Sequence, residues 1–262
     1  MKLLVKLGGT LLDSSETRCR LAQQLAGLAE RGHRVVVVHG GGKRLSRYLA
    51  VQGIQSRFVN GFRVTTPEIL DAVVKVLAGE VNVELVTAIQ QAGGRAVGLT
   101  GADDGLVEAV QLSPELGAVG RIERVRPALL DLLTGNGYVP VVACLAAGAQ
   151  GELFNVNADQ MAVACTVHLQ ADRLIFLTDV EGVLDEQKRL IPELDAARAE
   201  ELIHTGVASR GMEAKLKACA SAVRQGVPEV RIAAGARPNV LPDLLGGQTV
   251  GTALVAGAPV AP

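Results

Sequence analysis

The sequence predicts an α/β fold, a largely parallel sheet with helices on both faces. Two observations carry this. Short runs rich in Val, Ile and Leu recur along the chain, and most stop at glycine. Helix-like segments lie between them. Continuous rather than alternating apolar runs mark strands buried on both faces. Regular strand–helix alternation marks parallel crossovers.

The apolar runs cover residues 3–7, 35–38, 96–99, 138–144, 174–177 and 230–234. They end at Gly8-Gly9, at His39-Gly40-Gly41-Gly42, at Thr100-Gly101, towards Gly148, at Thr178-Asp179-Val180-Glu181-Gly182 and at Gly235. A helix is expected over 14–31, with Leu21, Leu25 and Leu28 at helical spacing and Gly32 as its stop. Asp13 is its expected N-cap, and Glu16 completes a capping box. Thr66-Pro67-Glu68 starts a second helix, with proline at the first helical position, and the pattern runs to Gly93. Further helices are expected near 127–135, 157–170, 195–205, 211–225 and 238–245. Residues 101–126 are rich in charge and glycine and read as a hairpin or loop insertion. No linker, low-complexity tract or fixed-period repeat divides the chain.

Composition excludes several classes. The chain has 262 residues, 48% of them hydrophobic, so disorder is ruled out. The 26 Lys and Arg against 27 Asp and Glu argue against a nucleic-acid backbone binder. Aromatics at 2% leave no stacking platform for single strands. No apolar run reaches membrane-spanning length, and no leader peptide is apparent. Cys19, Cys144, Cys165 and Cys219 form no C-x-x-C pair and no zinc spacing. All four are expected to be buried small hydrophobes in a cytoplasmic protein.

Ligands of an open parallel sheet bind beyond the carboxyl ends of its strands, where the glycine clusters lie. Lys6-Leu7-Gly8-Gly9 brings backbone N–H groups and one cation together, suiting a phosphate chain or simply making a tight turn. His39-Gly40-Gly41-Gly42 offers either an anion nest or a loop packed closely on a neighbour. His39 itself reads as a core histidine. Neither cluster completes a P-loop or a dinucleotide fingerprint, and there is no protein-kinase set or nucleophile elbow. In Asn60-Gly61-Phe62-Arg63-Val64-Thr65, Arg63 suits a carboxylate or pairs with a surface Glu. Asn155-Val156-Asn157-Ala158-Asp159 opens a helix with caps and an acid, or with groups for substrate and lysines. Thr178-Asp179 is a ribose, phosphate or hydrated-metal contact, or an Asx-type turn. Lys215 and Lys217 differ by two positions on a helix, so one of them at most reaches a shared site.

Taken in order, these elements, together with Gly211-Met212-Glu213-Ala214-Lys215, resemble the amino-acid kinase family from Lys6 to Thr252. The N-G-x-R-V-T and N-V-N-A-D elements resemble its branch acting on N-acylated glutamate. The resemblance implies an open three-layer αβα sandwich with a mainly parallel central sheet. It implies one domain over 1–262, with about 1–170 binding the acyl amino acid and dimerising and about 171–262 binding ATP. The reaction it implies is phosphorylation of the γ-carboxylate of N-acetyl-L-glutamate by ATP, with Mg²⁺ carried by the nucleotide and no protein metal site. Lys6 and Lys215 would stabilise the transferring group, with Asp159 holding both lysines. Gly41, Gly42, Arg63 and Asn155 would bind the acyl amino acid. Gly8 and Gly9 would face the phosphates. Thr178, Asp179, Val180, Glu181, Gly182, Val183, Val207, Ala208, Ser209 and Met212 would surround the nucleotide. Rival readings are a sister kinase for N-succinyl-glutamate or aminoadipate-type acceptors, a non-catalytic nucleotide sensor, and a dehydrogenase. The chain departs from the family at Ala102, where relatives carry Lys, and at Lys43, which reads as a solvated helix start. It begins just before Lys6, without the N-terminal helix of hexameric relatives, so a homodimer is expected.

Overall fold

The computed structural model describes residues 1–208 and 210–256. In chain order its first half holds β1 (Lys2–Leu7), α1 (Gly9–Asp13), α2 (Ser15–Glu30), β2 (Arg34–His39) and α3 (Gly42–Val51). A small hairpin of β3 (Phe58–Val59) and β4 (Phe62–Arg63) follows, then α4 (Pro67–Val73), α5 (Asn82–Gln91) and β5 (Arg95–Thr100). Next come β6 (Val107–Gln111), β7 (Gly120–Val125), α6 (Ala128–Gly135), β8 (Tyr138–Ala143), β9 (Leu145–Ala147) and β10 (Leu153–Asn155). The remainder is α7 (Ala158–Leu169), β11 (Arg173–Thr178), β12 (Glu193–Leu194), α8 (Ala196–His204), α9 (Arg210–Arg224), β13 (Glu229–Ala234), α10 (Val240–Leu245) and β14 (Thr252–Val255).

The expected parallel sheet is present. Eight strands run in the order β12-β14-β13-β11-β1-β2-β8-β5. The six strands from β13 to β5 are mutually parallel, and β14 joins antiparallel to β13. Successive side chains of a strand point to opposite faces, yet Leu3, Leu4 and Val5 are all fully buried. Both faces of the sheet are therefore covered, which is why these strands read as unbroken apolar runs.

The charged segment 101–126 forms an antiparallel hairpin, β6 with β7. It belongs to a second, four-stranded sheet ordered β10-β9-β6-β7, which the apolar runs did not announce. β6 and β7 are charged and partly exposed, and β9 and β10 are three residues each, so their hydrophobic signal is weak.

Three local expectations need correction. Asp13 does not cap α2. A short helix takes residues 9–13, and Ser14 Oγ accepts from the Thr17 N–H at 3.2 Å instead. Asp13 pairs with Arg44 and Arg47. Cys19 is exposed, while Cys144, Cys165 and Cys219 are buried. Leu21, Leu25 and Leu28 define the buried stripe of α2, and Cys19 sits two residues before it, on the far side. The helix from Pro67 is not uniform, because Val74–Val81 is π-helical between α4 and α5.

The π-helical stretch sets where Asn82 enters the sheet. Its buried amide donates to Val141 O at 2.8 Å, to Leu99 O at 3.4 Å and to His39 Nε2 at 3.0 Å. Gly98 makes room for it, since a Cβ there would lie 2.1 Å from Asn82 Oδ1. Because those bonds anchor Asn82, it cannot swing aside cheaply. Gly98→Ala is expected to cost about 1–3 kcal/mol, as overpacking does. Gly27→Ala, inside α2 where only the tip of Arg31 is near, is expected to be neutral or to stabilise by about 0.5–1 kcal/mol. Urea midpoints of the two variants check this, and equal stability of Gly98→Ala and the parent would refute the Asn82 anchor.

Candidate active site

The carboxyl ends of the six parallel strands form one edge, and the glycine clusters lie along it. On β1, register places Lys6 between Val38 of β2 and Phe176 of β11. Lys6 Nζ lies 2.6 Å from Asp159 Oδ1. Lys215 Nζ, from α9, donates to Asp159 Oδ2 at 3.1 Å. The three side chains are 11%, 16% and 10% exposed for Lys6, Asp159 and Lys215. Lys217 points away and pairs with Glu213 on the surface, so only Lys215 reaches the centre.

Local sequence explains each placement. Asn157 caps α7, its Oδ1 accepting from the Asp159 and Gln160 N–H groups at 2.9 and 3.1 Å. Asp159 thus sits in the first turn, where the helix dipole favours a carboxylate. Lys215 Nζ rests 5.2 Å from the centroid of the Phe176 ring, a cation–π contact that the sequence did not reveal. Phe176 is fully buried on β11, directly beside Lys6.

Burial opposes ionisation of Asp159, but the Lys6 and Lys215 ammonium groups outweigh it and hold the carboxyl below its ordinary value. Burial lowers the Lys6 pKa, the charge of Lys215 adds to that, and Asp159 opposes it. Each ammonium carries three N–H donors, and one carboxylate does not exhaust six of them. The unused donors are available to the oxygens of an anion.

The two glycine loops touch. The Gly8 N–H donates to Leu177 O at 2.9 Å. A Cβ on Gly9 would lie 3.2 Å from Gly41 Cα. Gly41 is the position where close packing explains the glycine, because a Cβ there would lie 2.3 Å from Leu77 Cδ2. Gly42 is different, since a Cβ there would meet nothing within 4 Å. Close packing therefore accounts for Gly41, and open space lies at Gly42.

Beyond Gly42 lies Arg63. Asn60 and Gly61, both at positive φ, form the two-residue turn between β3 and β4 and fold Arg63 inward. Arg63 is buried, and its guanidinium donates to Gly42 O at 3.2 Å, to Ser46 Oγ at 2.7 Å and to Ser56 Oγ. It also lies 4.6 Å from the Phe58 ring centroid. Among the described residues no carboxylate pairs with it. Burial lowers its pKa, yet a guanidinium keeps its charge. Asn155 Nδ2 donates to Thr65 Oγ1 at 3.1 Å, and that hydroxyl donates to Arg63 O at 2.8 Å. Gly42, Arg63 and Asn155 are thereby one connected patch. Ser46, Ser56 and Thr65 were not singled out in the sequence, because serine and threonine carry no spacing signal of their own.

The remaining predicted residues run from the end of β11 to the start of α9. Thr178 ends β11, and its hydroxyl donates to Asp179 Oδ1 at 3.2 Å, a bond between the two side chains. Asp179, Val180 and Glu181 are exposed, whereas Gly182 and Val183 are buried against Thr252, whose Oγ1 accepts from the Val183 N–H at 2.8 Å. Val207 and Ala208 lie in the α8–α9 connection, and the half-buried Met212 packs on the core. Ser209 lies outside the described residues. His39 is fully buried, as expected of a core histidine.

Residues 1–234 match the amino acid kinase family. The chain belongs to the amino acid kinase family. It is 58% identical over 255 residues to an acetylglutamate kinase of Solibacter usitatus (strain Ellin6076), covering 97% of this chain and 99% of that one. An acetylglutamate kinase of Koribacter versatilis (strain Ellin345) is 43% identical, with 98% and 99% covered. Among solved structures, smu.665 from Streptococcus mutans UA159 superposes with a TM-score of 0.85 at 28% identity, covering 98% of this chain and 99% of that one. With relatives of this identity named acetylglutamate kinase over nearly its full length, the chain is a kinase.

Asp159→Asn is expected to destabilise the fold by about 3–5 kcal/mol, because it leaves two buried ammonium groups unpaired. The Asp159 carboxyl has a depressed folded-state pKa, so its contribution is complete above its unfolded value of about 3.9. That contribution is lost as pH falls through the lower folded value. Denaturation of both proteins from pH 7 to pH 3 should show the gap constant above about pH 4 and closing below it. A gap that does not narrow in acid would refute the assignment.

Proposed function

We propose that this kinase transfers the γ-phosphoryl group of ATP to the γ-carboxylate of N-acetyl-L-glutamate, as a cytoplasmic step of arginine biosynthesis. The products are N-acetyl-L-glutamyl 5-phosphate and ADP. The observation that carries the reading is the adjacency of two cation sets. A lysine pair shares one carboxylate at the strand ends, and a buried arginine, without a carboxylate partner among the described residues, reaches the Gly42 carbonyl. Relatives named acetylglutamate kinase share this chain over nearly its whole length.

The chemistry fits those groups. An ordinary glutamate carboxyl has a pKa of about 4.3, so the acceptor is already ionised and needs no general base. One carboxylate oxygen forms a bond to the γ-phosphorus. The bond from that phosphorus to the β–γ bridging oxygen breaks, and its electron pair leaves with ADP. No proton moves. The barrier is repulsion between an anion and a polyanion. Lys6 and Lys215 offset it, with Asp159 fixing where their charges stand. Gly8 and Gly9 face the phosphates, with the Gly8 N–H held by Leu177 O and the Gly9 N–H left to the ligand. Arg63 takes the α-carboxylate of the acceptor, and Asn155, Gly41 and Gly42 hold its amide and chain. Mg²⁺ bound to the nucleotide supplies further charge neutralisation. Both Asp159 oxygens face lysines, so this carboxylate would not be the one to hold the metal.

In this reading about 1–170 form the acceptor half and about 171–262 the nucleotide half, with Thr178 to Val183, Val207, Ala208, Ser209 and Met212 around the nucleotide. The ion pair between Asp159 and Lys215 joins the two halves. The chain works as a homodimer. The unpaired edge strand β5 and the exposed Val83 on α5 support an association surface there.

Hydroxylamine trapping of the acyl phosphate tests the reading directly. N-acetyl-L-glutamate should turn over fastest, ahead of N-succinyl-L-glutamate, N-acetyl-aminoadipate and free glutamate. Turnover of none of them, with ATP still bound, would leave a nucleotide sensor. Lys6→Ala or Lys215→Ala should lower kcat by about 10²-fold or more. Arg63→Ala should raise KM for the acceptor and leave KM for ATP unchanged. An unmoved acceptor KM would remove Arg63 from the carboxylate site.

A further inference from the structure

His39 is a buried titratable side chain beside the site that the chemistry above does not use. It ends β2, directly before three consecutive glycines, and is fully buried. Both ring nitrogens are engaged. Nδ1 lies 3.0 Å from Gly40 O, and Nε2 lies 3.0 Å from Asn82 Nδ2.

The hydrogen-bond chain fixes the tautomer. Asn82 Nδ2 also lies 2.8 Å from Val141 O, a carbonyl that only accepts. The amide nitrogen, not the oxygen, therefore faces His39. Nε2 must accept from it, so the proton resides on Nδ1 and is donated to Gly40 O. Burial pushes the His39 pKa down to about 4, against the opposing Gly40 bond, so the ring is neutral near pH 7.

The consequence runs through one peptide plane. Gly40 O and the Gly41 N–H belong to the same rigid unit, so holding one aims the other. Glycine peptides reorient at low cost, and three in succession have no side chains to restrain them. The Gly41 N–H donates to no group among the described residues. Asn82 is itself held in place, seated in the space that Gly98 leaves at the end of the π-helical stretch.

We propose that His39 is a positioning residue for the acceptor loop: its Nδ1–H fastens the Gly40 carbonyl and so directs the Gly41 N–H at the bound acyl amino acid. This rests on the reading of Gly41 and Gly42 as acceptor-binding.

Two variants separate the ring's two bonds. In His39→Asn the side-chain amide nitrogen falls where Nδ1 was, keeping the donor to Gly40 and losing Asn82. In His39→Gln the side-chain oxygen falls where Nε2 was, keeping the Asn82 bond and losing the Gly40 donor. His39→Gln is expected to raise KM for N-acetyl-L-glutamate about five- to tenfold, the worth of one neutral hydrogen bond, with KM for ATP unchanged. His39→Asn should restore the acceptor KM towards that of the parent. Equal rises in both variants, or no rise in either, would overturn the proposal. Gly42→Ala serves as the control, because its methyl meets only open space in the free protein. If Gly42→Ala leaves the acceptor KM unmoved, the acceptor-loop reading fails and takes the proposal with it. If Gly42→Ala raises that KM and His39→Gln does not, the proposal alone fails. The unmutated protein gives a test that needs no variant to fold with full stability. The ¹⁵N shifts of its His39 ring, picked out among 4 histidines, should report the Nδ1–H tautomer. An Nε2–H tautomer would overturn the proposal.

Discussion

Two buried ammonium groups sharing one carboxylate are the constraint around which the site is arranged. Lys6 comes from β1, Asp159 from α7 and Lys215 from α9. Like charges repel more strongly away from water, so neither lysine tolerates burial beside the other without Asp159. Buried ion pairs add little net stability over apolar packing of the same volume. The cluster is therefore better understood as a way of presenting charge than as a fastening. It also ties α7 to α9.

The glycines follow from that arrangement. Positive charge at the strand ends is useful only if an anion approaches the backbone closely. Gly9 lies against Gly41, and Gly41 lies against Leu77 of the π-helical stretch, so the two loops and that stretch form one packed layer. A side chain at Gly41 would separate them. Gly42 faces open space, and its carbonyl is held by Arg63. Packing and ligand access are thus divided between neighbouring glycines of a single motif.

Much of this was legible in the sequence. Buried parallel strands declare themselves as unbroken Val, Ile and Leu runs, and the strand-end glycines mark the site edge before any geometry is known. Lys6, Asp159 and Lys215 are legible only through their order along the chain, because 56 residues separate Asp159 from Lys215. What was not legible has physical causes. The second sheet is built from a charged, partly exposed hairpin and two strands of three residues. The π-helical stretch keeps a helical hydrophobic pattern, so its changed register leaves no mark. Asp13 and Ser14 are both good caps, and only the formation of α1 decides between them. Phe176 and the serines around Arg63 act through contact, which spacing does not encode.

Carboxyl phosphorylation also explains what the site lacks. An enzyme that deprotonates its nucleophile needs a base with a pKa near the working pH and a path for the proton. Here the histidine nearest the glycine loop is buried and bonded on both nitrogens. Cys144 is buried near Lys6, and its thiol pKa is pushed up to about 11, chiefly by desolvation. Neither is disposed to take a proton at neutral pH. The polar groups gathered around Asp159 and Arg63 are instead cations, N–H donors or groups that hold one in place. Such a surface lowers the energy of concentrated negative charge and does nothing for an unionised hydroxyl. An acceptor already ionised in water is the substrate class that needs nothing more from it.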